Sequence, residues 1–281
     1  MEDRKAFVVG ISGASSSGKT TLARLLRDVF PDTFVLHEDD FYRNETELPY
    51  KEGLLDWDCA QAINIPDMKR ALEHIRAHGT FPPFVDSKED QNSVGECPVP
   101  NAAIIRARAK VSQWLQPGQP GHAVLGAASG LRVCLLDGFL LYAPDLEAGG
   151  IPGLLDARLF LLVSRASATR RRERRDGYVT LEGFWADPPG YVEKVVWPNY
   201  AESHAGLFVD GDVDGGRLDE HALREKGILA QTDKGLDVDM EVTFNWAVDT
   251  LMRELERAFG ERRGEEGEGE GEGEGGEGDV V

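Results

Sequence analysis

The chain of 281 residues predicts an α/β fold, a central parallel sheet with helices on both faces. Three observations carry this reading. Short, near-continuous apolar runs recur along the sequence, as strands buried on both faces require. Stretches with helical apolar spacing alternate with them. The first apolar run passes through a Gly/Ser-rich turn directly into a helical pattern.

In chain order, residues 6–12 read as a buried strand, and residues 21–27 have helical apolar spacing. Residues 33–37 form a second strand. Residues 66–78 form a helix with Met68, Leu72 and Ile75 on one face. A helix is also expected over 102–115. Strands follow at 131–137 and 157–163, with a weaker fifth at 227–231 and a last helix over 238–259. Two stretches interrupt the alternation: residues 79–130, rich in Pro, Gly, Ala and Ser, and the polar residues 210–226. Neither carries enough apolar sequence for its own core, so both read as surface insertions in a single domain over 1–260. No internal repeat is found.

The formal net charge of −19 argues against a broad nucleic-acid-binding surface. From Glu261 onward nine acids face two arginines in a Glu/Gly alternation. With nothing to bury, residues 261–281 are expected to be a disordered tail. Cys59, Cys97 and Cys134 lack metal-site spacing and suit a reducing compartment. No apolar run approaches the roughly 18 residues of a membrane span. The charged start Met1-Glu2-Asp3-Arg4-Lys5 leaves no room for a signal peptide, so a cytoplasmic protein is expected.

Chemistry concentrates at Gly13-Ala14-Ser15-Ser16-Ser17-Gly18-Lys19-Thr20, which fits the P-loop pattern G-x-x-x-x-G-K-[ST] between strand and helix. Its glycines allow an anion-cradling turn, and backbone N–H groups at the helix start face the phosphates of a nucleoside triphosphate. Lys19 is expected to reach the β- and γ-phosphates and the Thr20 hydroxyl to ligate Mg²⁺. The second strand ends in Glu38-Asp39-Asp40-Phe41-Tyr42 at the edge where the P-loop opens. Asp39 is the candidate base and metal-site carboxylate there, although either Asp39 or Asp40 can simply cap the next turn. Asp137 closes the third strand before Gly138, where a carboxylate serves Mg²⁺ directly or through water. The run Arg170-Arg171-Arg172-Glu173-Arg174-Arg175 reads as a lid. Helical spacing lets only two or three of its arginines face one anion.

Together these residues resemble the nicotinamide riboside kinases, within the uridine kinase-like P-loop kinases. The resemblance runs from Gly10-Ile11-Ser12-Gly13 through Lys19-Thr20-Thr21-Leu22 to Asp39-Asp40-Phe41-Tyr42, then Gly53 to Trp57-Asp58. It continues through Asp137-Gly138-Phe139-Leu140-Leu141, the arginine run, Asp187-Pro188-Pro189-Gly190-Tyr191 and Val196-Trp197-Pro198. It implies a nucleoside/nucleotide kinase-like P-loop fold that phosphorylates the 5′-hydroxyl of nicotinamide riboside, and of nicotinic acid riboside, with ATP and Mg²⁺. By resemblance, Asp39 is the base, and Thr20, Asp39 and Asp137 serve the metal. Residues 13–21, Arg171 and Arg174 bind ATP, and Asp39, Asp40, Phe41 and Tyr42 border the riboside. Trp57 and Tyr178 lie on the pyridine ring, Asp58 and Arg172 on the ribose, and Asp187 in the substrate site.

The sequence departs from the family where Asp137 replaces the usual Glu, and where an extra residue sits between the arginine run and Tyr178. A uridine/cytidine kinase would carry a histidine-containing motif after the Asp-Phe/Tyr segment. No histidine lies between Phe41 and Trp57. A non-catalytic nucleotide-binding regulator would show a damaged P-loop or base, and Lys19, Thr20, Asp39 and Asp137 are all intact.

Overall fold

The computed structural model describes residues 4–87, 95–126, 129–175, 177–180 and 183–269, with side chains described except at 178–180, 183 and 260–269. β1 (Ala6–Gly13) is apolar on both faces. Ala6 and Val8 pack to one side of the sheet, and Phe7, Val9 and Ile11 to the other, the period-two alternation of a strand. α1 (Lys19–Arg27) follows the turn and buries Leu22, Ala23, Leu25 and Leu26. β2 (Thr33–His37) leads into a 3₁₀ turn over Glu38–Phe41. β3 (Tyr50–Lys51) and β4 (Leu54–Leu55) then pair antiparallel across Glu52 and Gly53, both with positive φ, as a tight hairpin requires. α2 (Ile65–His78) is capped by Asn64, whose side chain accepts from the Asp67 N–H.

α3 (Asn101–Trp114) and α4 (Pro120–Leu125) precede β5 (Arg132–Gly138), α5 (Pro144–Ala148), β6 (Ala157–Leu161) and α6 (Arg165–Arg172). A second small hairpin, β7 (Tyr178–Thr180) with β8 (Gly183–Trp185), lies after the arginine run. α7 (Trp197–His204), α8 (Glu220–Glu225), β9 (Ile228–Ala230) and α9 (Met240–Gly269) complete the order. The main sheet runs β2-β5-β1-β6-β9, with every pairing parallel. One face carries α2, α5 and α7, contributing Met68, Leu72, Leu146 and Tyr200; the other carries α1, α3 and α9, contributing Leu22, Val111 and Phe244.

The main strands and long helices stand where the pattern predicts them, within a few residues. Three expectations need revision. The stretch 210–226, read as a surface insertion, carries α8 and sends Val213, Leu218 and Leu223 into the core on the α2 face of the sheet. The stretch 79–130, read as a surface insertion, sends Val99, Ala103, Ala107, Val111, Trp114, Val124 and Leu125 into the core shared with β1 and α9. It needs no core of its own because it borrows the sheet's. α9 also extends beyond residue 259 to Gly269, into the segment expected to be disordered. Glu261, Arg262, Arg263, Glu265 and Glu266 are good helix formers; the rest of that segment, 270–281, lies outside the described residues. Among the described residues, no helix is long and apolar enough to cross a membrane.

Candidate active site

β1 delivers the chain to its own carboxyl end between β5 and β6, and the turn to α1 wraps that end. Gly13 (φ 147°) and Gly18 (φ 101°) take backbone conformations that L side chains rarely adopt. A Cβ on Gly13 would also stand 2.4 Å from the Leu161 carbonyl. Ser16 shares the left-handed region at φ 62°. Lys19 is buried, and its Nζ donates to the Ala14 carbonyl at 3.0 Å. Burial pulls its pKa below the ordinary lysine value, while Asp137 and Asp39 oppose that shift. The hydroxyls of Ser12, Ser16 and Ser17 are buried with no hydrogen-bond partner. Orphaned polar atoms around an N–H-rich turn are costly unless a ligand satisfies them. This cradle fits phosphate oxygens.

Three strand ends converge beside it. Ile11 pairs with Asp137, and Asp137 with His37. The His37 Nδ1 lies 3.2 Å from Asp137 Oδ2, and Asp137 also bonds the Thr20 hydroxyl. These contacts outweigh burial and hold the Asp137 pKa below the usual carboxylate value. Asp39 is exposed and Asp40 half-buried. Phe41 belongs to the core rather than to an open cleft. Glu38, which the motif reading passed over, is fully buried, and burial pushes its carboxyl up to about 8.

The β3–β4 hairpin places Trp57 and Asp58 under the arginine helix. Trp57 is edge-on to Tyr42 (ring centroids 5.2 Å) and tilted against Trp185 (5.7 Å). Its backbone N–H donates to the Tyr191 hydroxyl at 3.0 Å. Asp56 is buried, accepts both bonds of the Asn199 amide, and also receives the Asp58 N–H. Arg172 joins the parts. It forks onto both oxygens of Asp58, pairs with Asp187 at 2.6 and 3.1 Å, and donates to the Ser15 hydroxyl at 3.1 Å. Such bidentate charge-assisted bonds are among the strongest available to side chains. Removing one buried partner typically costs about 3–5 kcal/mol.

On the far side of the P-loop a cavity of about 580 Å³ opens between Gly18, Thr21 and the start of α9. Gln231, Asp237, Met240 and Thr243 form one wall, and Arg171 with Arg175 the rim. Arg171 Nη1 donates to the Ser16 carbonyl at 3.3 Å. Asp237 accepts from the Ser164 N–H and from the Ser164 and Ser167 hydroxyls, tying this wall to the amino end of α6.

No protein-family model matches the chain. The nicotinamide riboside kinase of Schizosaccharomyces pombe is 35% identical over 253 residues, covering 90% of this chain and 99% of that protein. This chain belongs to the nicotinamide riboside kinase family. The family's proteins from Eremothecium gossypii and Saccharomyces cerevisiae are 35% and 31% identical, covering 75% and 76% of this chain and 81% and 84% of their own. A putative fructose transport system kinase from Silicibacter sp. aligns with a TM-score of 0.37 at 20% identity, over 60% of this chain and 71% of that one.

In this nicotinamide riboside kinase family member the structure brings two residues to the site that the motifs did not name. Arg175, not Arg174, lines the cavity beside Arg171. α6 ends at Arg172 and the chain then turns, which returns Arg175 to the side of Arg171 at the cavity. Besides Tyr42, Trp57 meets the ring of Trp185, which pairs in register with Tyr178 across the β7–β8 hairpin. The Tyr178 side chain lies outside the described residues. Trp185 Nε1 donates to Asp187 at 3.1 Å, so a Trp two residues before the acid was the available signal. Gln231 and Asp237 had no motif to mark them.

Proposed function

We propose that the protein transfers the γ-phosphoryl group of ATP to the 5′-hydroxyl of nicotinamide riboside, and of nicotinic acid riboside, as a phosphotransferase of NAD salvage. One observation carries the acceptor assignment: Trp57 packed between Tyr42 and Trp185, directly beside the Asp58–Arg172–Asp187 ion pairs. Aromatic faces with adjacent carboxylates stabilise a pyridinium ring by roughly 0.5–2 kcal/mol through the cation–π contact alone. The phosphate cradle beside it supports ATP as donor, with the cavity against α9 taking the nucleoside.

In the proposed reaction the acceptor oxygen forms a bond to the γ-phosphorus while the bond from that phosphorus to the β-bridging oxygen breaks. Asp39, exposed at the cleft, accepts the hydroxyl proton. Lys19 and the arginines at the cavity rim take up charge on the transferring group. Thr20, Asp137 and Asp39 offer a hydroxyl and two carboxylates. That donor set suits Mg²⁺, which is held through one or two carboxylates together with substrate phosphates. When bound, the ion would neutralise charge on the β- and γ-oxygens. The soluble, cytoplasmic setting of such chemistry is part of this proposal.

The test is a coupled phosphorylation assay with nicotinamide riboside, nicotinic acid riboside, uridine and cytidine side by side. The expected result is a higher kcat/KM for the two pyridine ribosides. A preference for uridine or cytidine, or no turnover of any riboside, refutes the assignment.

A further inference from the structure

We infer that Glu38 is a positioning residue that fixes the spacing between Asp39 and Asp137. The proposal rests on the reading above only in giving those two carboxylates a role in phosphoryl transfer.

Glu38 opens the 3₁₀ turn that carries Asp39 and Asp40, and its side chain has no solvent exposure. Its Oε2 accepts the Phe139 N–H at 2.6 Å and the Leu140 N–H at 3.1 Å. Those two donors lead the chain off the end of β5, immediately after Asp137 and Gly138. Gly138 makes the approach sterically feasible. A Cβ there would lie 2.7 Å from both the Cβ and the Oε2 of Glu38. One residue earlier, His37 meets Asp137. Two successive residues leaving β2 are thus bonded to residues leaving β5, and Asp39 and Asp137 stand on the two tied segments.

The tie depends on reach, with charge incidental. Oε2 serves as an acceptor and Oε1 has no hydrogen-bond partner; Lys19 acts on the group through space and ranks behind burial and the two backbone donors. A buried ion is expensive to desolvate, whereas a neutral carbonyl oxygen at the same place accepts the same two bonds. Glutamine reproduces that oxygen. Aspartate keeps the acid and loses one methylene of reach. Holding two reacting carboxylates in register matters because a misplacement of about 1 Å can cost on the order of 10²-fold in rate.

The experiment compares Glu38→Gln, Glu38→Asp and Glu38→Ala in the full chain. Three quantities are read: kcat with separate KM values for ATP and riboside, binding of Mg·ADP by calorimetry, and hydrogen exchange at the Phe139 and Leu140 amides. The expected outcome is that Glu38→Gln stays close to the parent in all three. Glu38→Asp and Glu38→Ala should lose about tenfold or more in kcat with ATP KM little changed, and their two amides should exchange faster. A parent-like Glu38→Asp, or a Glu38→Gln as damaged as Glu38→Ala, would show that charge matters and reach does not. Loss of kcat without faster exchange at those amides also overturns the proposal. If the parent phosphorylates no riboside, the functional reading fails, while amide exchange and Mg·ADP binding still decide the latch.

Discussion

Asp39 and Asp40 are neighbours in sequence and differ in surroundings. Asp39 is exposed at the cleft and within electrostatic reach of Lys19, while Asp40 is half-buried. The first is the more accessible to an incoming hydroxyl. Asp39→Asn is therefore expected to lower kcat by about 10²-fold or more, the usual scale for a positioned base, with ATP binding retained. Asp40→Asn should do much less. The check is steady-state kinetics on both variants, and the reverse ranking would move the base by one position. Trp185 gives a second prediction. If it forms the outer wall of the ring site, Trp185→Ala should raise KM for nicotinamide riboside about tenfold, while Trp185→Phe keeps a π face and most of the activity. Equal KM values for Trp185→Ala and parent would make it a packing residue. At this scale the sequence was legible where a residue type sits in a fixed motif, as with Lys19, Thr20, Asp39 and Trp57. Trp185, Arg175 and Glu38 depend on how a turn closes, and no spacing rule announces that.

α6 shows the same distinction one level up. Its sequence predicts a basic lid, yet the arginines matter because of what anchors the helix. Ser164 caps it by accepting the Ser167 N–H, and Asp237 receives three hydrogen bonds from its first turn. At the other end Arg171 and Arg172 grip Ser16 and Ser15 of the P-loop. The helix thereby links the cavity wall, the phosphate cradle and the Trp57–Asp58 loop. Asp237→Ala removes the first anchor, at roughly 1 kcal/mol for each net hydrogen bond. It is expected to raise KM for ATP and to lower kcat, each several-fold, at saturating riboside. Unchanged ATP kinetics would mean that α6 is held by the P-loop and Asp58 contacts alone. The long elements were readable because a strand buried on both faces must be apolar through its interior, as residues 6–11 and 133–136 are. The two-residue strands β3 and β4 carry no periodicity to detect. α3 was readable as a helix while its burial was not: its small Ala103 and Ala107 read as surface but fill a helix–helix contact with α9.

For the molecule as a whole, the core on the α7 face of the sheet encloses a titratable group that neither motif nor composition flags. His204 is 1% exposed, lies between the rings of Phe160 and Tyr200, and bonds the Tyr200 carbonyl through Nδ1 at 3.0 Å. Burial pulls its pKa down to about 4, and the charge of Lys19 acts in the same direction. The unfolded chain takes up a proton here below about 6.5, whereas the folded chain resists until about 4. Stability is therefore lost as pH falls through that window, by about 1.4 kcal/mol for each unit of pH. Phenylalanine matches the stacked ring and cannot titrate, so His204→Phe should flatten the dependence. The expected result is a Tm that falls between pH 7 and 5 more steeply in the parent than in His204→Phe, measured without nucleotide or Mg²⁺. Parallel curves would show that His204 stays uncharged in both states or gains its proton without cost. Surface carboxylates, abundant in a chain of net charge −19, titrate alike in both proteins and cancel in the comparison.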